Sequence, residues 1–276
     1  MLVQNSVRRD NPVARLFALP NEHPAKTIMI ALILCLVCSA LVSITAILLK
    51  PRILFNEEVL SKQREILRVV GRYQTGVNIS TAFSDVETQL VELASGEYVT
   101  HIDASSYKYE AAILAPATRV EIKPQDDIAK VGAIARYAPV YLFKKQGITT
   151  HIVVPVYGNG MWSTMRAYLA LESDGNHITG ISFYQHGETP GLGGEITNPR
   201  WQVKWQGKRL FDAQGQVRFM LSKVANSDPA MAQFQVDAIA GATITSTGVT
   251  NLIRFWLGDQ GYGPYFKRHF RQKGDA

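Results

Sequence analysis

Cysteine is almost absent from this chain. Cys35 and Cys38 are the only two, and both fall inside one apolar stretch. Everything after that stretch has no thiol for a disulfide or a thiolate metal site, a pattern that permits an exported location without requiring one. Histidine is sparse too: six residues stand far apart with no His-x-x-x-His pair, which leaves zinc and haem without ligands at usable spacing. No basic run exists either. The 29 Lys and Arg against 23 Asp and Glu give a net charge of +6, but these charges are scattered and not interleaved with aromatics, so nucleic acid is not an expected partner. Finally, no third glycine opens a helix after Gly158-Asn159-Gly160, and strands and helices do not alternate. A dinucleotide fold, and with it an NADH site on this chain, is disfavoured.

What is present begins with a long hydrophobic run. Thr27 to Leu49 carries no charge and is flanked by Lys26 and by Lys50-Pro51-Arg52. At 1.5 Å per residue such a run is long enough to cross a bilayer core of about 30 Å. After Thr27 its only polar positions are Ser39, Ser43 and Thr45, fewer than the polar face of a buried soluble helix, and the Leu-Leu-Lys-Pro-Arg flank lacks the small residues of a signal-peptidase site. A retained, single-pass anchor is expected, with Cys35 and Cys38 as small apolar filler. Basic residues lie on both sides, so charge alone does not orient it.

After the anchor, Asn56 to about Tyr73 reads as an amphipathic helix with Asn56 as its N-cap. Residues 75–135 give mixed signals and read as a small, partly irregular lobe. From Ile148 the pattern changes to strands, at Ile148–Tyr157, Met165–Glu172 and His177–Tyr184, with Asp174-Gly175 as a hairpin turn. Val249, Leu252, Ile253, Trp256 and Leu257 mark one buried helical face, capped by Ser246 or Thr247 and ended by Gly258. The expected fold class is α+β: an antiparallel sheet with packed helices, preceded by one N-terminal transmembrane helix. The expected divisions are a tail at 1–26, the membrane helix at 27–49, a helical and irregular membrane-proximal lobe at 50–140, and the main domain at 141–276.

Three segments carry candidate chemistry. Asp237-Ala238-Ile239-Ala240-Gly241-Ala242-Thr243-Ile244-Thr245-Ser246 joins small residues and hydroxyls to a helix start, where free N–H groups and the positive dipole end favour a phosphate; Gly241 and Ala242 allow close approach to the backbone. The same residues also suit a strand followed by an ordinary Ser/Thr cap. His186-Gly187-Glu188-Thr189-Pro190-Gly191-Leu192-Gly193-Gly194-Glu195 is built for tight turns, with His186 read as a solvated loop histidine. Gly158-Asn159-Gly160-Met161-Trp162-Ser163 offers Trp162 either as core or as a site residue.

Asp237, Gly241, Ala242 and Thr243 resemble the flavinylation motif of the FMN-binding domain family, which has Asp, two variable residues, Ser or Thr, Gly, Ala and Thr; here Ala240 stands at the Ser/Thr position. The resemblance implies FMN bound covalently through a phosphoester to Thr243, with Asp237 read by a flavin transferase. It also implies a phosphate environment of Gly241, Ala242, Thr245 and Ser246. Glu188, Thr189, Leu192 and Gly193 would lie against the isoalloxazine, with Trp162 and Ser163 near it. Along its whole length the chain is similar to the NqrC family of Na+-translocating NADH:quinone oxidoreductases, including Ala138-Pro139-Val140-Tyr141-Leu142, Asn198-Pro199-Arg200-Trp201 and Gly261-Tyr262-Gly263-Pro264-Tyr265. That similarity implies an electron-transfer component of a complex of six subunits in a bacterial inner membrane, with the FMN domain on the periplasmic side. The alternatives are the corresponding component of the related Rnf complex (RnfG), typically shorter, a membrane-tethered FMN-binding module without covalent flavin, or a purely structural anchor.

Overall fold

The computed structural model describes residue 20, residues 23–224 and residues 227–271. The expected tail at 1–26 therefore lies largely outside the described residues. The chain divides into two compact units, Met1–Val59 and Leu60–Ala276. In the first unit, helix α1 (Pro24–Val69) begins, and its Pro24–Leu49 portion is long and apolar enough to cross a membrane. Thr45 returns its hydroxyl to the Leu41 carbonyl at 2.7 Å, so this polar side chain is satisfied within the helix itself. The separate helix expected to start at Asn56 is instead a continuation of α1, which runs through Pro51 and Asn56 to Val69 without a break. Helix-forming residues on both sides outweigh the one backbone donor that proline removes.

The second unit is built on a sheet of six antiparallel strands: β1 (Val86–Glu92), β2 (Tyr98–Val99), β5 (Tyr137–Lys145), β6 (Ile148–Asn159), β7 (Thr164–Glu172) and β8 (Ile178–Gln185). Their order is β2-β1-β5-β6-β7-β8. A two-stranded ladder of β3 (Arg119–Glu121) and β4 (Ala133–Ala135) and a parallel pair of β9 (Met220–Ser222) and β10 (Gln235–Asp237) lie outside it. The segment expected to be irregular thus supplies an inner strand, β1, paired along β5 from Val86↔Phe143 to Glu92↔Tyr137. The Asp174-Gly175 turn forms as expected, with Asp174 Oδ1 accepting from the N–H groups of Asn176 and His177.

Strand β6 explains why the sheet is buried on both sides. Ile152, Val154 and Val156 face a core shared with helix α2 (Thr243–Leu257), while Val153 faces the opposite layer with Ile66, Leu67 and Val69 of α1, Phe143 and Tyr168. A continuous apolar run rather than an alternating one is what a doubly covered strand requires. Gly180 permits the second layer, because a Cβ there would lie 2.4 Å from the Val69 carbonyl oxygen. Helix α2 seats its apolar face on the sheet and is fixed by Trp256 Nε1 donating to the Tyr157 carbonyl at 2.6 Å. The C-terminal Tyr262 donates to the Pro139 carbonyl at 2.9 Å.

Helix α2 starts one turn earlier than a Ser246 or Thr247 cap predicts. Thr243 is its first residue, and the N-cap, Ala242, offers no side-chain hydrogen bond. The Ser246 hydroxyl is instead turned back to accept the Ile239 N–H at 3.1 Å. At the other end Gly258 closes the helix as expected, its N–H meeting the Phe255 carbonyl.

Candidate functional site

The candidate segments converge at one end of the sheet. The turn joining β6 to β7 closes through Gly160 N–H to the Ser163 carbonyl at 2.8 Å, and it leaves Met161 and Trp162 exposed, Trp162 by 67%. The 186–195 loop follows β8 and is tied to this turn by Gly187 N–H donating to Ser163 Oγ at 2.5 Å. Within that loop, Thr189-Pro190-Gly191-Leu192 forms a turn closed by Leu192 N–H to the Thr189 carbonyl at 3.1 Å, with Gly191 at φ 75°. Proline at the second position and a positive φ at the third define a type II turn. The strand β10 leads into a second turn of the same kind, Ile239-Ala240-Gly241-Ala242, closed by Ala242 N–H to the Ile239 carbonyl at 3.1 Å with Gly241 at φ 74°. The two turns meet: a Cβ on Gly241 would stand 3.1 Å from Leu192 Cδ2.

Thr243 emerges from the second turn exposed, at the first position of α2. The first N–H groups of a helix have no partner within it and carry the positive end of its dipole, so the Thr243 hydroxyl stands where a phosphoryl group is favoured. The exposed apolar side chains of the converging segments include Leu192 at 46%, Met161 at 49%, Ile244 at 57% and Trp162 at 67%. An open hydroxyl at a helix start, beside a bare glycine backbone and apolar side chains, suits a flat aromatic group tethered by a phosphate.

Thr245 and Ser246, expected near the phosphate, are buried with their hydroxyls turned inward: Thr245 Oγ1 donates to Glu188 at 2.5 Å and Ser246 Oγ accepts from Ile239. Glu188 is buried too, at 4% exposure. Its carboxylate accepts from Met161 N–H at 3.1 Å, Trp162 N–H at 2.9 Å, Ser163 N–H at 3.3 Å and Thr245 Oγ1. Burial pushes this carboxyl upward, but the bonds from Thr245 and the three backbone N–H groups prevail and hold it below the ordinary carboxylate value. Bonds of this charge-assisted kind contribute about 1.5–3 kcal/mol each. Its neighbours leave no spare room: a Cβ on Gly160 would lie 2.6 Å from Glu188 Oε1, and one on Gly193 would lie 2.6 Å from Thr245 Oγ1. The His186 ring accepts the Glu188 N–H through Nδ1 at 3.2 Å, and Thr189 serves the turn through its carbonyl while its residue stays exposed.

Asp237, at the end of β10, is exposed and pairs with Lys204 Nζ at 2.7 Å, while its carbonyl accepts Trp201 Nε1 at 2.8 Å. Sequence reading had no signal for this contact, since Trp201 and Lys204 lie more than thirty residues away along the chain. Ala240 is exposed at the second position of its turn, where the backbone geometry asks nothing of a hydroxyl.

The profile of the FMN-binding domain family matches residues 160–258, which contain all of the 186–195 and 237–246 segments and Gly160–Ser163 of the remaining one. The C component of the Na(+)-translocating NADH-quinone reductase of Haemophilus ducreyi is 41% identical over 244 residues, covering 88% of this chain and 93% of that protein. The chain belongs to that NqrC family. The NqrC of Pseudomonas aeruginosa is 40% identical over 261 residues, covering 92% and 98% of the two chains. Solved members share the fold: Shewanella oneidensis NqrC superposes with a TM-score of 0.69 at 33% identity, covering 76% of this chain and 96% of that one. The Parabacteroides distasonis protein of the same name gives 0.57 at 28% identity, covering 76% and 93%. As a member of the NqrC family, the chain is part of an oxidoreductase complex, with an FMN-binding domain and one helix suited to membrane anchoring.

Proposed function

We propose that this NqrC-family chain carries FMN as a phosphoester on Thr243 and serves as an electron-transfer station in a Na+-translocating NADH:quinone oxidoreductase, on the path toward quinone reduction coupled to Na+ export. The observation that carries this reading is Thr243 itself, exposed at the first position of α2, directly after the Gly241 turn, within the region matched by the FMN-binding family. FMN, when bound, supplies the redox chemistry, accepting and passing on electrons at its ring. The chain supplies the rest. Thr243 Oγ provides the ester oxygen, and the N–H groups of the first α2 turn favour the phosphate charge. Leu192 and Trp162 offer apolar surface for the ring, and the exposed Thr189 offers a hydroxyl beside it.

The modifying partner is a flavin transferase, with Asp237 as the recognition residue; the Lys204 and Trp201 contacts fix where Asp237 is presented. The Pro24–Leu49 portion of α1 anchors the chain in the bacterial inner membrane, with the FMN domain on the periplasmic side. Thr27–Leu49 contains no ionisable carboxylate, lysine, arginine or histidine, so the sodium path belongs to the other members of the complex of six subunits.

Intact mass of the full chain co-expressed with a flavin transferase, followed by mapping of the peptide spanning Asp237 to Arg254, tests the reading. An FMN-sized addition on Thr243 that disappears in Thr243→Ala is expected. An active transferase that leaves the chain unmodified would give preference to the non-covalent binding module.

A further inference from the structure

Three segments, the helix that carries Thr243 among them, meet at the same buried carboxylate. The β6–β7 turn delivers the N–H groups of Met161, Trp162 and Ser163 to Glu188. Helix α2 delivers Thr245 Oγ1, and Glu188 itself belongs to the loop that presents Leu192. Gly160 and Gly193 are bare where a Cβ would stand 2.6 Å from Glu188 Oε1 and 2.8 Å from Glu188 Oε2, respectively. The carboxylate therefore fills a space closed on several sides. Since Thr245 lies in the first turn of α2, the negative charge of Glu188 sits on the inner side of the helix's positive end, opposite the outer side where Thr243 is exposed.

We propose that Glu188 is the positioning residue of the flavin cradle: a buried anion that locks the Trp162 turn, the Leu192 loop and the Thr243 helix start into one body, and sets the charge beneath the flavin without contacting it. This rests on the reading of Thr243 as the FMN site and adds two consequences. The attachment point and the apolar flanks move together, so the ring keeps one environment. The dipole at the start of α2 is also already partly compensated from inside, and this lowers the pull of the helix on electrons entering the ring.

The test uses the full chain, co-expressed with a flavin transferase, as wild type, Glu188→Gln and Thr245→Val. Glu188→Gln removes the charge and turns an amide donor toward backbone donors; Thr245→Val removes one bond at nearly constant volume. In the unmodified chain, iodide quenching of tryptophan fluorescence follows Trp162, because Trp201, Trp205 and Trp256 are all buried. Both variants are expected to show increased quenching in that unmodified chain. In the flavin-loaded chain, the midpoint potential should move to more positive values in Glu188→Gln and much less in Thr245→Val, with the added mass on Thr243 retained in both.

Folded variants with wild-type quenching and wild-type potential would overturn the proposal. Absence of flavin from the wild-type chain would instead overturn the Thr243 reading, while the apo quenching measurement would still decide the role of Glu188. Should Glu188→Gln fail to fold, Thr245→Val decides alone, by the change in Trp162 quenching.

Discussion

The two type II turns that face each other across the site reach the same geometry by different means. Thr189–Leu192 places Pro190 at its second position, so the ring has fixed φ before the chain folds. Ile239–Ala242 places Ala240 there and relies on its surroundings: Ser246 Oγ holds the Ile239 N–H, and Trp201 holds the Asp237 carbonyl. The first turn is preorganised locally and the second is held by contacts from distant parts of the chain. The difference shows where folding must finish before Thr243 is correctly presented. The segment carrying the Thr243 hydroxyl takes its shape from α2 and from the 198–205 region, not from its own composition.

That contrast can be broken by substitution, with stability followed by chemical denaturation of the full chain in detergent. Gly193→Ala is expected to cost the most, about 3 kcal/mol, because its Cβ has to displace Thr245 Oγ1 from Glu188. Ser246→Ala should cost about 2 kcal/mol by leaving the buried Ile239 N–H without its acceptor. The first turn offers no equivalent substitution, since its closing bond and its proline are both local.

Gly191→Ala and Gly241→Ala compare the turns directly. Both glycines have φ near 75°, which costs an L-residue about 1–2 kcal/mol, but only at Gly241 does the added Cβ also meet Leu192. The second variant should therefore be the less stable. Finally, Ala240→Pro should stabilise the chain by about 0.4–1 kcal/mol by giving the second turn the device of the first. The same variant should still gain FMN mass on Thr243, and loss of that mass with the fold intact would mean that the side chain at 240 matters beyond the turn.

Much of this architecture was legible in the sequence. The apolar run before Lys50, the β6, β7 and β8 strands, the Asp174-Gly175 hairpin and the apolar face of α2 all follow from periodicity and turn chemistry, and the structure contains each of them. Strand β1 was hidden because Val86-Glu87-Thr88-Gln89-Leu90-Val91-Glu92 carries polar residues on both sides of an inner strand, and β5 supplies the pairing that overrides this pattern. The start of α2 was misplaced because Ser246 and Thr247 look like caps, while the Ser246 hydroxyl is taken by Ile239.

Within the site, spacing singled out segments that the fold brings together but not the direction of their side chains. Thr243 and Thr245 are two residues apart on one helical turn, and only packing tells that the first faces solvent and the second faces Glu188. The family resemblance implies that Glu188 lies by the ring, and composition says nothing of what holds its carboxylate. Its four donors come from segments that the sequence leaves far apart.

The region matched by the FMN-binding family, residues 160–258, is not a unit of folding. It begins after β6 has ended, and so leaves β1, β2, β5 and β6 of the six-stranded sheet outside. It also stops before Tyr262, Tyr265 and Phe266, none of which retains solvent exposure. A fragment cut to those limits would carry every residue from Asp237 to Thr243 and would leave α2 without much of the surface on which it rests. The signature lies in the middle of the chain, and the weight that keeps it in place is borne by the residues on either side.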